Sequence, residues 1–165
     1  MKIYTKKGDA GQTDLMFKRV SKADLHISVI GAIDEAMAFI LMSKHAIENQ
    51  GIKEDLNLIH DHLFQICFEI ALNDKAKYKT TKENTDWLEA RIDFYDKQLQ
   101  PLSKFIKLDQ TLAASWLNLA RVTIRRAERE LVLLASSDEI NSFTLSYVNR
   151  LSDYLFTLAR VFDEL

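Results

Sequence analysis

The 165-residue sequence predicts an all-α protein, a five-helix antiparallel bundle with a glycine-containing loop at its N-terminus. Helix-breaking residues are rare: there are one Pro and four Gly, and three of the glycines fall within the first 31 positions. A long stretch without such punctuation is typical of long helices. The length is that of one domain, so we expect a single bundle over residues 1–165.

Five segments carry apolar residues at helical spacing and are separated by polar connections. The predicted helices cover about 22–49, 52–73, 82–98, 110–136 and 142–163. The capping-box spacing of Ser21 and Asp24 predicts the start of the first helix, and Gly51 predicts its end. The same spacing in Thr80 and Glu83 predicts the start of the third helix.

Residues 1–20 differ in composition from the rest and are predicted to form a loop. Gly8 and Gly11 expose backbone N–H groups, and Lys6 and Lys7 stand beside them. Such a loop can hold an anion, although it lacks the GK[ST] ending of a Walker A loop. A plain flexible terminus explains the same composition, so the loop by itself leaves both interpretations open.

Composition argues against several partners. The net charge is −2, with 22 Lys+Arg against 24 Asp+Glu, which does not favour a nucleic-acid partner. The single Cys67 cannot form an internal disulfide, so we expect a cytoplasmic location, and its apolar neighbours favour a buried structural thiol. The N-terminus lacks the apolar segment of a signal peptide, and no apolar run approaches the roughly 20 residues that a membrane span needs. We therefore expect no membrane association.

Several catalytic chemistries lack their residues. His60 and His62 stand two positions apart and do not share a helix face, so we do not expect them to bind a metal together. The sequence has no Glu-x-x-His pairs for a di-iron bundle, no nucleophile elbow and no cluster of zinc ligands.

Charge is concentrated in segment 120–130, which is predicted to lie in the fourth helix. On a helix, Arg121, Arg125 and Glu128 fall on one side, with Arg129 close by. One interpretation is a solvated charged face with i,i+4 pairs. The other is an anion clamp, because guanidinium groups match the geometry of phosphate oxygens.

The remaining concentrated chemistry is cationic and suits a polyphosphate. Its members are Lys6, Lys7, Lys22, Arg121 and Arg125. Asp34 and Glu35, in the first third of the first helix, are either structural ion-pair partners or site residues.

Three ordered blocks form a recognisable set of motifs. Residues 4–13 contain T-x-x-G-D-x-G-x-T, and the block continues through 19–22 to G-x-x-D-E at 31–35. Residues 120–129 read A-R-x-x-x-R-R-A-E-R, and 140–156 include N-R-L-S-D-x-L-F. In this order they resemble the PduO-type ATP:cob(I)alamin adenosyltransferases. The resemblance implies a homotrimer that binds ATP and cobalamin between subunits and transfers the 5′-deoxyadenosyl group to cobalt, with Mg²⁺, releasing triphosphate. It also implies a flavoprotein reductase as a candidate partner.

The resemblance also implies roles for individual residues. Arg121 would pair with Asp34 across the subunit interface, and Arg125 and Glu128 would contact the triphosphate and its magnesium; these four form the expected catalytic set. Phe105 corresponds to an aromatic residue below the corrin ring. The residues expected to hold ATP are Thr5, Lys6, Gly8, Asp9, Gly11, Thr13, Arg19, Lys22 and Asn149.

Two other hypotheses stay open. Segment 107–110 reads Lys-Leu-Asp-Gln where the family has a Pro-Gly-Gly turn, and segment 15–18 lacks the family's Gly pair. A non-catalytic relative that binds nucleotide, or carries the cobalamin cofactor, would accommodate the first change. A structural bundle, in which the arginines form a surface network, is the third hypothesis.

Overall fold

Five α-helices follow a short β-hairpin in the computed structural model, which describes residues 2–165. The strands are β1 (Gln12–Leu15) and β2 (Lys18–Ser21). The helices are α1 (Leu25–Ser43), α2 (Gln50–Leu72), α3 (Lys82–Asp96), α4 (Leu112–Ala135) and α5 (Ser142–Glu164). Short 3₁₀ turns follow α1 at Lys44–Ala46 and α2 at Lys75–Lys77. The predicted five-helix architecture is confirmed, and the hairpin is an addition to it.

The helices form a closed ring in the order α1, α4, α5, α3, α2. Near one end of the α1–α4 contact, the Ser28 hydroxyl donates to Glu130 at 2.6 Å. Near the other end, the rings of Phe39 and Trp116 stack with centroids 6.3 Å apart. The residue numbers run in opposite directions, so these two neighbours are antiparallel.

One pair of neighbours, α3 and α5, is parallel. Thr85 lies beside Ser146 with hydroxyl oxygens 3.4 Å apart, and Glu89 accepts a 3.0 Å hydrogen bond from Arg150. The residue numbers rise together along this contact. Successive helices alternate in direction along the chain, and a closed ring of five alternating helices must contain one parallel pair.

Connection 97–111 links α3 to α4 across the C-terminal end of α5, which lies between them. Arg160 of α5 donates to the Gln100 carbonyl at 2.6 Å, and Asp163 accepts from the Thr111 backbone N–H at 2.9 Å. These contacts attach both ends of the connection to α5. Its middle portion is thereby held beside the first turns of α4, where it forms one wall of a cavity.

The core consists of the inward-facing apolar residues of all five helices, which form one continuous cluster. On α1, the fully buried Val29, Ile33, Ala36 and Ile40 follow the three- and four-residue spacing of a helix face. Each fully buried Val, Ile or Leu contributes roughly 1.5–3 kcal/mol to folding. The polar positions between them, including Asp34, remain on the outer surface.

The predicted first helix extends too far at both ends, whereas the second lies within two residues of its predicted bounds. The residues that cap both helices differ from those expected. The Asp24 carboxylate caps α1 by accepting from the His26 backbone N–H at 2.9 Å, while Ser21 ends β2. Asn49 caps α2 in the same way, accepting from Ile52 N–H at 3.1 Å. Gly51 therefore lies in the first turn of α2 and does not terminate α1. A side-chain cap that satisfies free N–H groups determines the boundary here, not the glycine.

The third helix begins where predicted, but with a different cap. Thr81 and Asn84 form the capping box, and α3 ends at Asp96. Thr80 is buried instead and donates its backbone N–H to Glu69 at 2.8 Å. The fourth and fifth helices lie within two residues of their predicted bounds, capped by Thr111 and Asn141.

The predicted N-terminal loop contains a hairpin whose strands pair from Gln12–Ser21 to Leu15–Lys18. The strands have four residues each, and their turn contains Met16 at φ +51°. An Asn-Gly or Gly-Gly turn would have signalled such a hairpin, and neither is present. Within the predicted loop, Met1 lies outside the described residues.

Residues Leu25–Ala46 are long and apolar enough to cross a membrane by length and composition alone, with a mean hydropathy of 1.7. The expectation that no segment approaches this length was therefore too strict. Single polar residues interrupt the apolar run, but they do not lower its mean hydropathy below that of a segment that could span a membrane. In the fold, α1 packs between α2 and α4 as a core helix.

Candidate functional site

Arginine side chains line a cleft of about 370 Å³ on the outer face of α4. Its lining consists of Arg121, Val122, Arg125, Arg126, Glu128 and Arg129. Burial lowers the pKa of Arg121, and repulsion from Arg125 lowers it further. Among residues 2–165, neither of these two arginines pairs with a carboxylate. The cleft therefore holds positive charge that an anion can neutralise.

Arg126 has a structural partner. It forms an ion pair with Glu35 of α1, which ties the two helices together. Glu35 is thus a structural ion-pair partner, one of the two roles left open for the Asp34–Glu35 pair. Asp34 points elsewhere: it is exposed on α1 and close enough to Cys67 of α2 to influence that thiol.

A larger cavity of about 1030 Å³ opens between α4, α5 and the connection 97–111. Segment 102–109 forms one wall, and Asn118, Arg121 and Phe156 form the other. Phe105 belongs to this wall, and its ring is fully exposed. Most of the exposed lining is apolar, as expected for a site that takes a large organic ligand.

Arg121 is shared by the cavity and the cleft, so the two sites are adjacent. Glu128 lies two helical turns from Arg121 along α4, and Asn149 lies two turns from Phe156 along α5. Because the two helices run in opposite directions, Asn149 lies at the level of Glu128. The cleft therefore groups Arg121, Arg125 and Glu128 in one groove along α4. Asn149 is exposed on the neighbouring α5.

The N-terminal residues form a second cationic group around the glycine loop. Gly11 N–H donates to the Gly8 carbonyl at 3.1 Å, and a side chain on Gly8 would come within 3.3 Å of Lys22 Nζ. Arg19 bridges the hairpin and the loop by donating to the Lys7 carbonyl and to Asp14. The loop thus places the cations Arg19 and Lys22 beside a tight glycine turn, which suits an anion.

Two loop residues have left-handed backbone conformations. Gly11 has φ +78°, which glycine adopts without strain, whereas Lys6 has φ +61°, which is costly for a residue with a side chain. The remaining predicted ATP contacts lie on the same segment: Thr5 and Asp9 are exposed, and Thr13 is half-buried on β1.

The two cationic groups do not meet within one chain. In the described part of the chain, no hydrogen bond or ion pair joins residues 2–22 to the arginines of α4. Asp34 likewise makes no ion pair with Arg121 there; Asp34 lies towards α2, whereas Arg121 faces the cavity beside α5. The predicted Arg121–Asp34 pair therefore remains a prediction about two different chains.

Other reactive groups have structural explanations. Burial raises the pKa of the Cys67 thiol to about 12, as expected for a structural cysteine. His62 bonds Tyr147 at 3.0 Å and Asn84 at 3.1 Å, and burial lowers its pKa. Residues 2–165 contain no cluster of three or more His, Cys, Asp or Glu side chains arranged to hold a metal.

Comparison with known proteins agrees with the motifs. Residues 3–162 match the family model described as cobalamin adenosyltransferase. The chain belongs to this family.

Among members of the cobalamin adenosyltransferase family, the corrinoid adenosyltransferase of Bacillus subtilis (strain 168) is 42% identical over 166 residues, covering 98% of this chain and 86% of that protein. The corrinoid adenosyltransferase PduO of Salmonella typhimurium is 37% identical over 99% of this chain. The matched region is half of the length of that protein. A variant of the PduO-type ATP:corrinoid adenosyltransferase from Lactobacillus reuteri, in complex with cobalamin and ATP, superposes with a TM-score of 0.90. It is 35% identical, covering 98% of this chain and 91% of that one.

Asn118 and Phe156 line the cavity but were not among the predicted site residues. Asn118 could have been found, because it stands three residues before Arg121 and so shares its helix face. Phe156 is the last residue of the N-R-L-S-D-x-L-F block. Its place opposite Arg121 depends on how α5 packs against α4, which the sequence does not specify.

Proposed function

We propose that this chain is an ATP:corrinoid adenosyltransferase, which transfers the 5′-deoxyadenosyl group of ATP to a cob(I)alamin-type corrinoid and releases triphosphate. The observation that carries the proposal is the groove of α4, where Arg121 and Arg125 have no carboxylate partner among residues 2–165 and where Arg121 also borders a large apolar cavity. An arginine cleft suits a polyphosphate, and the cavity suits a corrin ring. Family membership supports the same assignment.

In this proposal, the protein supplies positioning and charge stabilisation. Reduced cobalt is the nucleophile and attacks C5′ of ATP, the C5′–O bond breaks, and both electrons of that bond leave with the triphosphate oxygen. Negative charge develops on the leaving group, so Arg125 at the triphosphate lowers the barrier. No protein nucleophile is needed.

The apolar cavity also sets the surroundings of the cobalt. Phe105 and Phe156 bring apolar surface to the space where the corrin would bind. Apolar walls exclude water from the cobalt and disfavour a lower axial ligand, which makes the metal easier to reduce. A flavoprotein reductase that donates the electrons, and a cytoplasmic location for the reaction, belong to the same proposal.

Glu128 fits a magnesium ion bound together with the triphosphate. Mg²⁺ in nucleotide sites is usually held by one or two carboxylates plus phosphate oxygens and water. Glu128 is a half-buried carboxylate among the arginines of the cleft, at the level of Asn149. It would supply the single protein ligand, while the ion would neutralise phosphate charge.

We propose that the complete site forms between two subunits of a homotrimer. The glycine loop with Lys6, Arg19 and Lys22 carries one set of cations, and α4 carries the other. Their separation within one chain supports a site in which a loop from one subunit covers the groove of the next. The Arg121–Asp34 pair would then fix the register between subunits.

The direct test is to mix protein, ATP, Mg²⁺ and chemically reduced cobalamin and follow the absorbance change to adenosylcobalamin. We expect turnover that requires both ATP and Mg²⁺. ATP binding without turnover would reject the enzyme and favour the non-catalytic relative. The absence of any rise in melting temperature with Mg-ATP would favour the structural bundle, since a ligand at 100 times its Kd adds about 2.7 kcal/mol of stability.

A further inference from the structure

We propose that Asn118 is a positioning residue for Arg121, holding its guanidinium at the junction of the cavity and the cleft. The Arg121 Nε–H donates to Asn118 Oδ1 at 3.0 Å, and both side chains line the large cavity. This inference rests on the proposed function, because it concerns how the same site is oriented.

The geometry of the contact determines what remains available on Arg121. A guanidinium carries one N–H at Nε and four on its two terminal nitrogens. With Nε bonded to Asn118, the edge formed by the two terminal nitrogens is free for a bidentate contact with a carboxylate or phosphate. Among the described residues, Asn118 is the hydrogen-bond partner of Arg121. The amide therefore selects one orientation of a side chain that otherwise has many.

Fixing this orientation matters because Arg125 repels Arg121 along the same face. Like charges repel, so the two guanidinium groups tend to move apart unless another contact holds them. A neutral amide oxygen three residues earlier opposes this movement without adding a negative charge that would compete with ATP. Asn118 thus allows two cations to stand side by side before the anion binds.

A purely structural role does not account for asparagine at this position. Asn is a weaker helix former than Leu, and both neighbours, Leu117 and Leu119, show that the helix accepts Leu here. The half-buried Asn118 also faces an apolar cavity, where a polar group is costly without a partner. Its partner is Arg121.

The test compares matched variants of the full-length protein. Asn118→Leu has nearly the same shape and lacks the acceptor, whereas Asn118→Asp has the same shape and keeps it. We expect Asn118→Leu to lower kcat about 10-fold, equivalent to about 1.4 kcal/mol. Asn118→Asp keeps the acceptor but adds the negative charge that competes with ATP, so it should raise the KM for ATP while kcat stays within about twofold of the wild type. Asn118→Ala should follow the Leu variant in kcat.

The decisive readout is the effect of Asn118→Leu in a protein that already carries Arg121→Ala. A residue that acts through Arg121 should add no further loss of kcat in that background. The same 10-fold loss there would overturn the inference, because Asn118 would then contact the corrinoid directly or act on the fold. A wild-type kcat in Asn118→Leu would also overturn the inference. So would an equal loss of kcat in the Asp and Leu variants.

Two controls separate the causes. The melting temperature of Asn118→Leu should not fall below that of the wild type, since Leu favours the helix. A fall that accompanies the loss of activity would assign Asn118 a structural role. If the wild type shows no turnover, both the proposed function and this inference fail; if the wild type and Asn118→Leu turn over equally, only this inference fails.

Discussion

Arg126 of α4 forms an ion pair with Glu35 of α1, whereas its neighbour Arg125 has no carboxylate partner within residues 2–165. Adjacent arginines on one helix therefore differ in role. Arg126 ties two helices of the bundle together, while Arg125 projects into the cleft with its charge uncompensated. On α1, Glu35 likewise joins two helices of the bundle, whereas Asp34 is proposed to pair with Arg121 of another subunit.

Arg125→Ala should abolish most turnover without unfolding the protein. The exposed side chain contributes little to the core, but it is proposed to stabilise the charge that develops on the leaving triphosphate. Removing such a donor typically costs about 100- to 1000-fold in kcat. Steady-state kinetics and a melting scan would check this. Lys82→Ala, which removes one exposed positive charge from α3, is the control and should behave as the wild type. Normal activity of Arg125→Ala would remove this residue from the site.

Arg121→Ala and Asp34→Ala should be strongly non-additive in activity and in trimer stability. If the two side chains pair across the interface, losing either one removes the same interaction, so a coupling energy of about 0.5–3 kcal/mol is expected. A double-mutant cycle measures it. Glu35→Ala is the matched control, because it removes a neighbouring carboxylate that pairs with Arg126. Its free-energy effect should be additive with that of Arg121→Ala. Simple additivity for Asp34 would mean that Asp34 and Arg121 do not touch.

Glu69 should be a major contributor to stability above acidic pH. It is 2% exposed and accepts hydrogen bonds from Thr80 N–H at 2.8 Å and Lys79 N–H at 2.7 Å, and from Asn141 at 3.1 Å. Burial alone would raise its pKa, but these donors outweigh burial and lower the pKa below its ordinary 4.5. Glu69→Ala leaves several buried donors without an acceptor, so we expect a loss of at least about 3 kcal/mol.

The pH dependence of this contribution has a definite sign. Because the pKa of Glu69 is lower in the folded than in the unfolded protein, its stabilisation is present above pH 4.5 and is lost as the pH falls through the folded-state value. The free energies of unfolding in urea of the wild type and of Glu69→Gln should therefore differ most near neutral pH and become equal in acid. A constant difference over that range would show that the charge of Glu69 is not the source.

Cys67 should resist thiol reagents in the folded protein. Burial, together with the smaller effect of the Asp34 charge, raises its pKa to about 12, so almost no thiolate exists at pH 8. Iodoacetamide should label the protein quickly in urea and very slowly without it, as followed by mass spectrometry. Rapid labelling of the native protein would contradict the packing of α2 against the bundle.

Much of the fold could be predicted because helix formation here depends on local pattern. The burial of Ile33, Met37 and Ile40 follows from their helical spacing. The hairpin could not be predicted, since its strands are short and its turn, at Met16, lacks glycine. Neither could the parallel contact of α3 with α5, because it arises from closing the ring and leaves no local signal in the sequence.

The candidate site was predictable in part for the same reason. Arg121, Arg125 and Glu128 lie on one helix, so their spacing brings them together. The cavity depends on how connection 97–111 crosses α5, which tertiary contacts such as Arg160 to Gln100 determine. Motif resemblance supplied the link between the glycine loop and α4, which no contact within one chain reveals.

Mixed trimers test most directly whether adenosyl transfer takes place at a site shared between chains. Arg125→Ala disables the groove, and Lys22→Glu places a negative charge in the loop, so each variant alone should be inactive. In trimers assembled at random from equal amounts of both, a site is intact when its loop comes from the first variant and its groove from the second. About a quarter of the sites should then be active, giving about a quarter of wild-type turnover. Turnover that stays at the level of the separate variants, in samples where native mass spectrometry detects mixed trimers, would contradict the account.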